Sequence, residues 1–148
     1  MQFSNTGRPT DVLCCWRPQH SQLLHEVLLT AELIRFPRFR VRRGKFVDQQ
    51  IRPDATMLVG DGASPVHWEF DNSTENYARV KERLQVYLRR REPVIWVART
   101  ESRLDGIWKR AKALGDRAFF KIAGADVLYG HDGTEYGLDV FPGPGVPY

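Results

Sequence analysis

Cysteine is scarce in this chain: two residues, adjacent at Cys14 and Cys15, in 148. Adjacent thiols cannot build a disulfide framework and lack the ligand spacing of a structural zinc site, so they read as reduced thiols of a cytoplasmic protein. No apolar run reaches the roughly 18 residues that a membrane span needs, and the polar, proline-bearing N-terminus lacks a signal-peptide core. The expectation is a soluble protein with no membrane partner. A Gly-rich phosphate loop, an HExxH pair and a nucleophile elbow are also missing, so none of those chemistries has a sequence sign here. There is no internal repeat, and the low-complexity stretch, 141–148, lies within a Gly/Pro-rich tail, 129–148.

A length of 148 residues suits one domain with a genuine core. Hydrophobic residues at 42% and charged residues at 27% are ordinary for a globular chain. The net charge of +4 and pI of about 9.3 are compatible with a polyanionic partner without requiring one. The expected organisation is an N-terminal arm (1–19), a folded domain (20–128) and the tail (129–148).

Within the domain, Leu24, Val27, Leu28, Ala31 and Ile34 recur at helical spacing, predicting a helix over 21–36 that Pro37 ends. Residues 39–43 alternate at period two and predict a strand. Strand-like stretches follow at 52–59 and 66–71. Asn72 with Glu75 three residues later resembles a capping box for a long helix reaching about residue 90. The continuous apolar run 94–98 predicts a central strand buried on both faces. A helix over 101–114 comes next, with Leu104, Ile107, Trp108 and Ala111 on one face and Gly115 after its end. Residues 118–122 read as a strand and 125–128 as one helical turn. The order α-β-β-β-α-β-α-β predicts an α/β fold with a mixed sheet flanked by helices.

The second carboxylate-bearing stretch places Val66, Trp68 and Phe70 on one strand face and His67, Glu69 and Asp71 on the other. If it pairs as a hairpin with the preceding strand, Asp54 comes near Glu69 and Asp71, gathering three carboxylates at one sheet end. Oxygen-only clusters of this kind suit Mg²⁺ or Mn²⁺. Carboxylates near strand ends also serve as helix caps and solvated loop residues. Repulsion among three of them calls for a cation or a basic side chain.

On the helix that follows, 100° spacing places Lys81 on an inward stripe with Tyr77, Leu84 and Leu88. From there its ammonium could reach Glu69 or Asp71 and stabilise charge at the site, or its stem could pack while the head stays in water. The segment 35–45 carries six positive charges. Arg38, Arg40 and Arg42 would share a strand face suited to DNA phosphates, with Arg43 and Lys45 beside them, or the row is simply a solvated face. Arg89, Arg90 and Arg91 complement a helix C-terminus. His67 is a ligand, a base or a structural histidine. His25, His20 and His131 are weaker candidates, and Glu32 completes a metal site or is solvent-exposed.

Arg52-Pro53-Asp54-Ala55, an interval of fifteen residues from Asp54 to Glu69, and Glu69-Phe70-Asp71 resemble the PD-(D/E)XK nuclease-like superfamily. The ordered series continues through Asn72-Ser73-Thr74-Glu75, Lys81, Tyr87 and Pro93-Val94-Ile95-Trp96-Val97. In that order it looks like the replication-relaxation family of plasmids and other mobile elements, over roughly 20–128. The resemblance implies a restriction-endonuclease-like α-β-β-β-α-β core, here with a C-terminal α-β extension. It implies Asp54 and Glu69 as ligands of Mg²⁺ or Mn²⁺, with Asp71 assisting as ligand or base and Lys81 stabilising charge. The implied activity is DNA phosphodiester hydrolysis. Asp71 stands where the superfamily has a lysine, which opens the alternative of a catalytically inactive DNA-binding or regulatory module. Relatives often carry an upstream winged-helix domain, for which this chain has no room, so DNA targeting is expected to need the basic strand or a separate DNA-targeting protein or domain.

Overall fold

In a computed structural model of the chain, residues 20–36, 40–43, 51–58, 65–73, 75–112 and 117–138 are described. The elements are α1 (His20–Leu33), β1 (Arg40–Arg43), β2 (Ala55–Leu58), β3 (Val66–Asp71), α2 (Tyr77–Arg90), β4 (Val94–Ala98), α3 (Glu101–Ala111), β5 (Ala118–Ile122), β6 (Val127–Tyr129) and β7 (Glu135–Gly137). The strands form one mixed sheet of seven in sequential order. Strands β1 to β3 pair antiparallel, β3 to β5 parallel, and β5 to β7 antiparallel. Parallel neighbours need a crossover, and α2 and α3 supply the two.

Sequence alternation sorts the two faces. Val66, Trp68 and Phe70 of β3, with Ile95 and Val97 of β4, pack under Leu29, Leu33 and Phe36 at α1. Val94, Trp96 and Ala98 point the other way, against Val80, Leu84 and Tyr87 of α2 and Leu104, Ile107 and Ala111 of α3. The result is an α/β/α sandwich, and β3 and β4 are buried at every position. The polar row of β3 is therefore inside the protein, where each charge needs a partner.

Several expectations are corrected. Helix α2 is capped by Asn76, whose side chain accepts from Arg79 N at 2.9 Å, and not by Asn72. Asp71 instead turns the chain locally, accepting the Ser73 N–H at 2.6 Å, while Ser73 sits at φ 63. Residues 125–128 do not form a helical turn: Val127–Tyr129 is a strand, paired with β7 and anchored by buried Leu128. The sheet thus continues to Gly137, past the expected start of the tail. On α1 the buried stripe is rotated from the expected one. Leu29, Glu32 and Leu33 face the sheet, whereas Val27 and Ile34 are exposed. The rotation lets Glu32 reach Lys121 on β5. The expected arm (1–19), Gly115 and residues 139–148 lie outside the described residues. Among the described residues, no helix is long and apolar enough to cross a membrane.

Candidate functional site

Pairing of β2 with β3 puts Ala55 opposite Trp68, and one residue earlier Asp54 N donates to Trp68 O at 3.0 Å. Asp54 Oδ2 then accepts the Phe70 N–H at 2.7 Å, which locks this carboxylate beside Glu69 and Asp71. The three carboxylates line a single cavity of about 180 Å³, together with His25, Arg83 and Trp96. The expected gathering of Asp54, Glu69 and Asp71 is what the strand register produces.

Their partners are different from those expected. Glu69, 1% exposed, accepts from the Tyr87 hydroxyl on Oε1 and from the Arg83 guanidinium on Oε2. Burial pushes its carboxyl up to about 8; neighbouring Asp54 adds to the rise, while Arg83 and Tyr87 oppose it. Burial and the adjacent Glu69 also raise the Tyr87 phenol, which stays protonated and donates. Asp71 is held by Arg103 through two bonds, Nε to Oδ1 at 2.9 Å and the guanidinium end to Oδ2 at 2.7 Å. The same guanidinium bonds the Glu75 carbonyl oxygen and lies 4.3 Å over the Tyr77 ring. Asp54 Oδ1 is 3.2 Å from His25 Nε2 on α1. This hydrogen bond raises the imidazole pKa above its ordinary value, against the effect of burial.

Lys81 takes no part. It is exposed on α2, and Leu88 beside it is 39% exposed. The helix is turned so that Val80, Leu84 and Tyr87 face the sheet, and Arg83, one turn before Tyr87, occupies the place foreseen for Lys81. The cation that reaches Asp71 is Arg103, not Lys81.

Each oxygen of the three carboxylates already has a protein donor. Two guanidiniums, an imidazole, a phenol and backbone N–H groups occupy these oxygens, so the donor set as arranged does not fit a Mg²⁺ or Mn²⁺ ion. Among the described residues, no group of three or more His, Cys, Asp or Glu is placed to hold a metal. Trp96, in the wall of the cavity, has a buried Nε1–H with no hydrogen-bond partner.

The remaining candidates separate. His67 is fully buried, bonded to Thr56 Oγ1 at 3.0 Å and to Glu92 at 2.7 Å, and burial lowers its pKa. It is a structural histidine tying β2 to the start of β4. Glu32 is not solvent-exposed: it forms a buried pair with Lys121 and accepts the Gly124 N–H at 2.5 Å. Of the basic row, Arg42 is exposed, whereas Arg43 turns toward α1 to pair with Glu26 and to bond Thr30 at 3.0 Å. Arg40 begins β1, and Arg38 and Lys45 lie outside the described residues.

Sequence reasoning missed Arg83, Arg103 and Lys121 as ionic partners and underrated His25. One signal for Arg83 was available, since it flanks the stripe Val80, Leu84, Tyr87 on the side of the carboxylate strand. Nothing local marks Arg103, which is thirty-two positions from Asp71. No protein-family profile, curated protein or solved structure matches the chain.

Proposed function

We propose that this chain is a DNA-associated module with a PD-(D/E)XK nuclease-like core of the replication-relaxation type, serving plasmid or mobile-element DNA replication or processing as a binding or regulatory element. Supporting the core assignment, the order α1-β1-β2-β3-α2-β4 places a helix, a meander, a helix and a strand in sequence, with α3 and β5 as the C-terminal extension. Asp54 precedes β2 and Glu69 lies within β3, as the superfamily pattern requires. The observation that carries the choice of a non-hydrolytic role is the internal pairing of the site: Asp54 with His25, Glu69 with Arg83, Asp71 with Arg103. Removing Arg103 would leave the buried Asp71 carboxylate without its cation, at a cost of about 3–5 kcal/mol. DNA contact would fall to exposed basic groups such as Arg42, assisted by a separate targeting protein, in the cytoplasm.

One observation favours metal-dependent phosphodiester hydrolysis as a second reading: Asp54, Glu69 and Asp71 line the same cavity. That reading requires Arg83 and Arg103 to leave their carboxylates. A cleavage assay in Mg²⁺ and Mn²⁺ on supercoiled, linear, single-stranded and branched DNA decides, with Asp54→Ala and Glu69→Ala preparations as controls. Salt-dependent DNA binding without cleavage is the expected result. Cleavage lost in both variants would establish the hydrolase, and the absence of any salt-sensitive DNA affinity would point to a scaffold that binds only protein.

A further inference from the structure

The two arginines at the carboxylates are held differently. Arg103 is 11% exposed, bonded twice to Asp71, bonded again to the Glu75 carbonyl and stacked on Tyr77. Arg83 is 33% exposed and lines the cavity, shared between Glu69 and Glu75, the latter at 3.5 Å. Arg103 is built into the wall, and Arg83 is the more exposed and less tightly held of the two.

Among the described residues, Glu69 has no other cation. Without Arg83 its carboxylate would face Asp54 across the 180 Å³ cavity, with the Tyr87 hydroxyl as its one remaining bond. Two carboxyl groups lining one cavity attract a hard cation, which would meet Asp54 with His25 and the Phe70 N–H still on its oxygens. The unpartnered Trp96 Nε1–H in the same wall offers a donor to a water or other acceptor accompanying that cation.

We infer that Arg83 stands in the place of a metal ion: its guanidinium keeps the cavity closed to divalent cations, and its loss uncovers a latent Mn²⁺ site at Asp54 and Glu69. The inference rests on reading this cavity as the carboxylate site of a nuclease-like core. It adds the residue that keeps the cavity metal-free. Asp71 contributes nothing to the latent site, because Arg103 retains it.

The test is Mn²⁺ titration of the full chain, following loss of the free-ion paramagnetic resonance signal and the heat of binding. Native chain, Arg83→Ala, Arg83→Gln, Arg83→Lys and the double variant Arg83→Ala/Glu69→Gln are compared. The neutral variants are expected to bind one ion at least about tenfold more tightly than the native chain, a difference of about 1.4 kcal/mol. Arg83→Lys, which keeps a positive charge, and the double variant should not gain it. Native binding as tight as in Arg83→Ala, or folded neutral variants that gain nothing, would overturn the inference. If neither neutral variant folds, native melting in millimolar Mn²⁺ decides: a raised Tm means that the closed cavity already binds the ion, and an unchanged Tm agrees with closure. DNA affinity of the native chain, measured alongside, tests the functional reading separately, so its failure leaves the Mn²⁺ result interpretable.

Discussion

Tyr87 donates its hydroxyl hydrogen to Oε1 of Glu69, and both side chains are about 1% exposed. This bond joins the last turn of α2 to the centre of the sheet and places Arg83, one turn earlier, on the other oxygen. Tyr87→Phe keeps the ring packing against His67, whose centroid is 5.3 Å away, but leaves Oε1 without a donor. The expected loss is about 1–3 kcal/mol in urea unfolding. A change within a few tenths would show that the bond carries little of the site's stability.

Glu69 also sets a pH dependence. Its ordinary pKa of 4.5 is raised in the fold to about 8, chiefly by burial. Between those values the folded state holds a proton that the unfolded state has lost, so stability falls as pH rises through this window. Glu69→Gln removes the titrating group. Urea midpoints at intervals from pH 5 to pH 8 should decline less steeply in the variant than in the native chain, and parallel slopes would contradict the assignment.

His25 contributes in the same direction by a different route. Its pKa is raised mainly by the hydrogen bond with Asp54, so its stabilising effect is present below 6.5 and is lost as pH climbs through the folded value. In Asp54→Asn the bond to a charged partner is gone while burial remains. Imidazole proton shifts in an NMR titration should place His25 above 6.5 in the native chain and lower in the variant. An unmoved titration would mean that Asp54 is not the cause.

Lys121 and Glu32 form a buried ion pair joining β5 to α1, with side chains 0% and 4% exposed. Burial lowers the Lys121 pKa against the pull of Glu32. Lys121→Met alone strands the Glu32 charge and is expected to cost about 3–5 kcal/mol, whereas Lys121→Met/Glu32→Leu should recover much of that loss. A thermal or urea double-mutant cycle reads the coupling. Additive losses would indicate that the two side chains do not depend on one another.

Arg42, exposed on the edge strand, tests the proposed DNA surface. Arg42→Ala should weaken binding equally across sequences and reduce the slope of log affinity against log salt by about 1. An unchanged slope would move the contact elsewhere on the chain.

Much of this architecture was legible. The six residues of β3 alternate clearly enough to assign both faces, and the uninterrupted apolar run of β4 marks a strand covered on both sides. The meeting of Asp54 with Glu69 and Asp71 followed from a hairpin register that turned out as expected. The placement of Lys81 failed because Tyr77, Lys81, Leu84 and Leu88 make as regular a stripe as Val80, Leu84 and Tyr87. Two stripes sharing Leu84 differ only in how the helix is rotated about its axis. The short strand β6 was read as a helical turn because three residues carry too little periodicity to distinguish the two.

By itself the sequence determined the order of elements from α1 to β5, the burial of the sheet's centre and the gathering of carboxylates at one end, since these depend on local periodicity and on a short-range hairpin. Only the tertiary structure decided which cation meets which carboxylate. Asp71 with Arg103 and Glu32 with Lys121 are joined across layers, over thirty-two and eighty-nine positions. Such pairings depend on helix rotation and on the spacing between sheet and helices, which burial of all the apolar side chains together sets and no local pattern encodes.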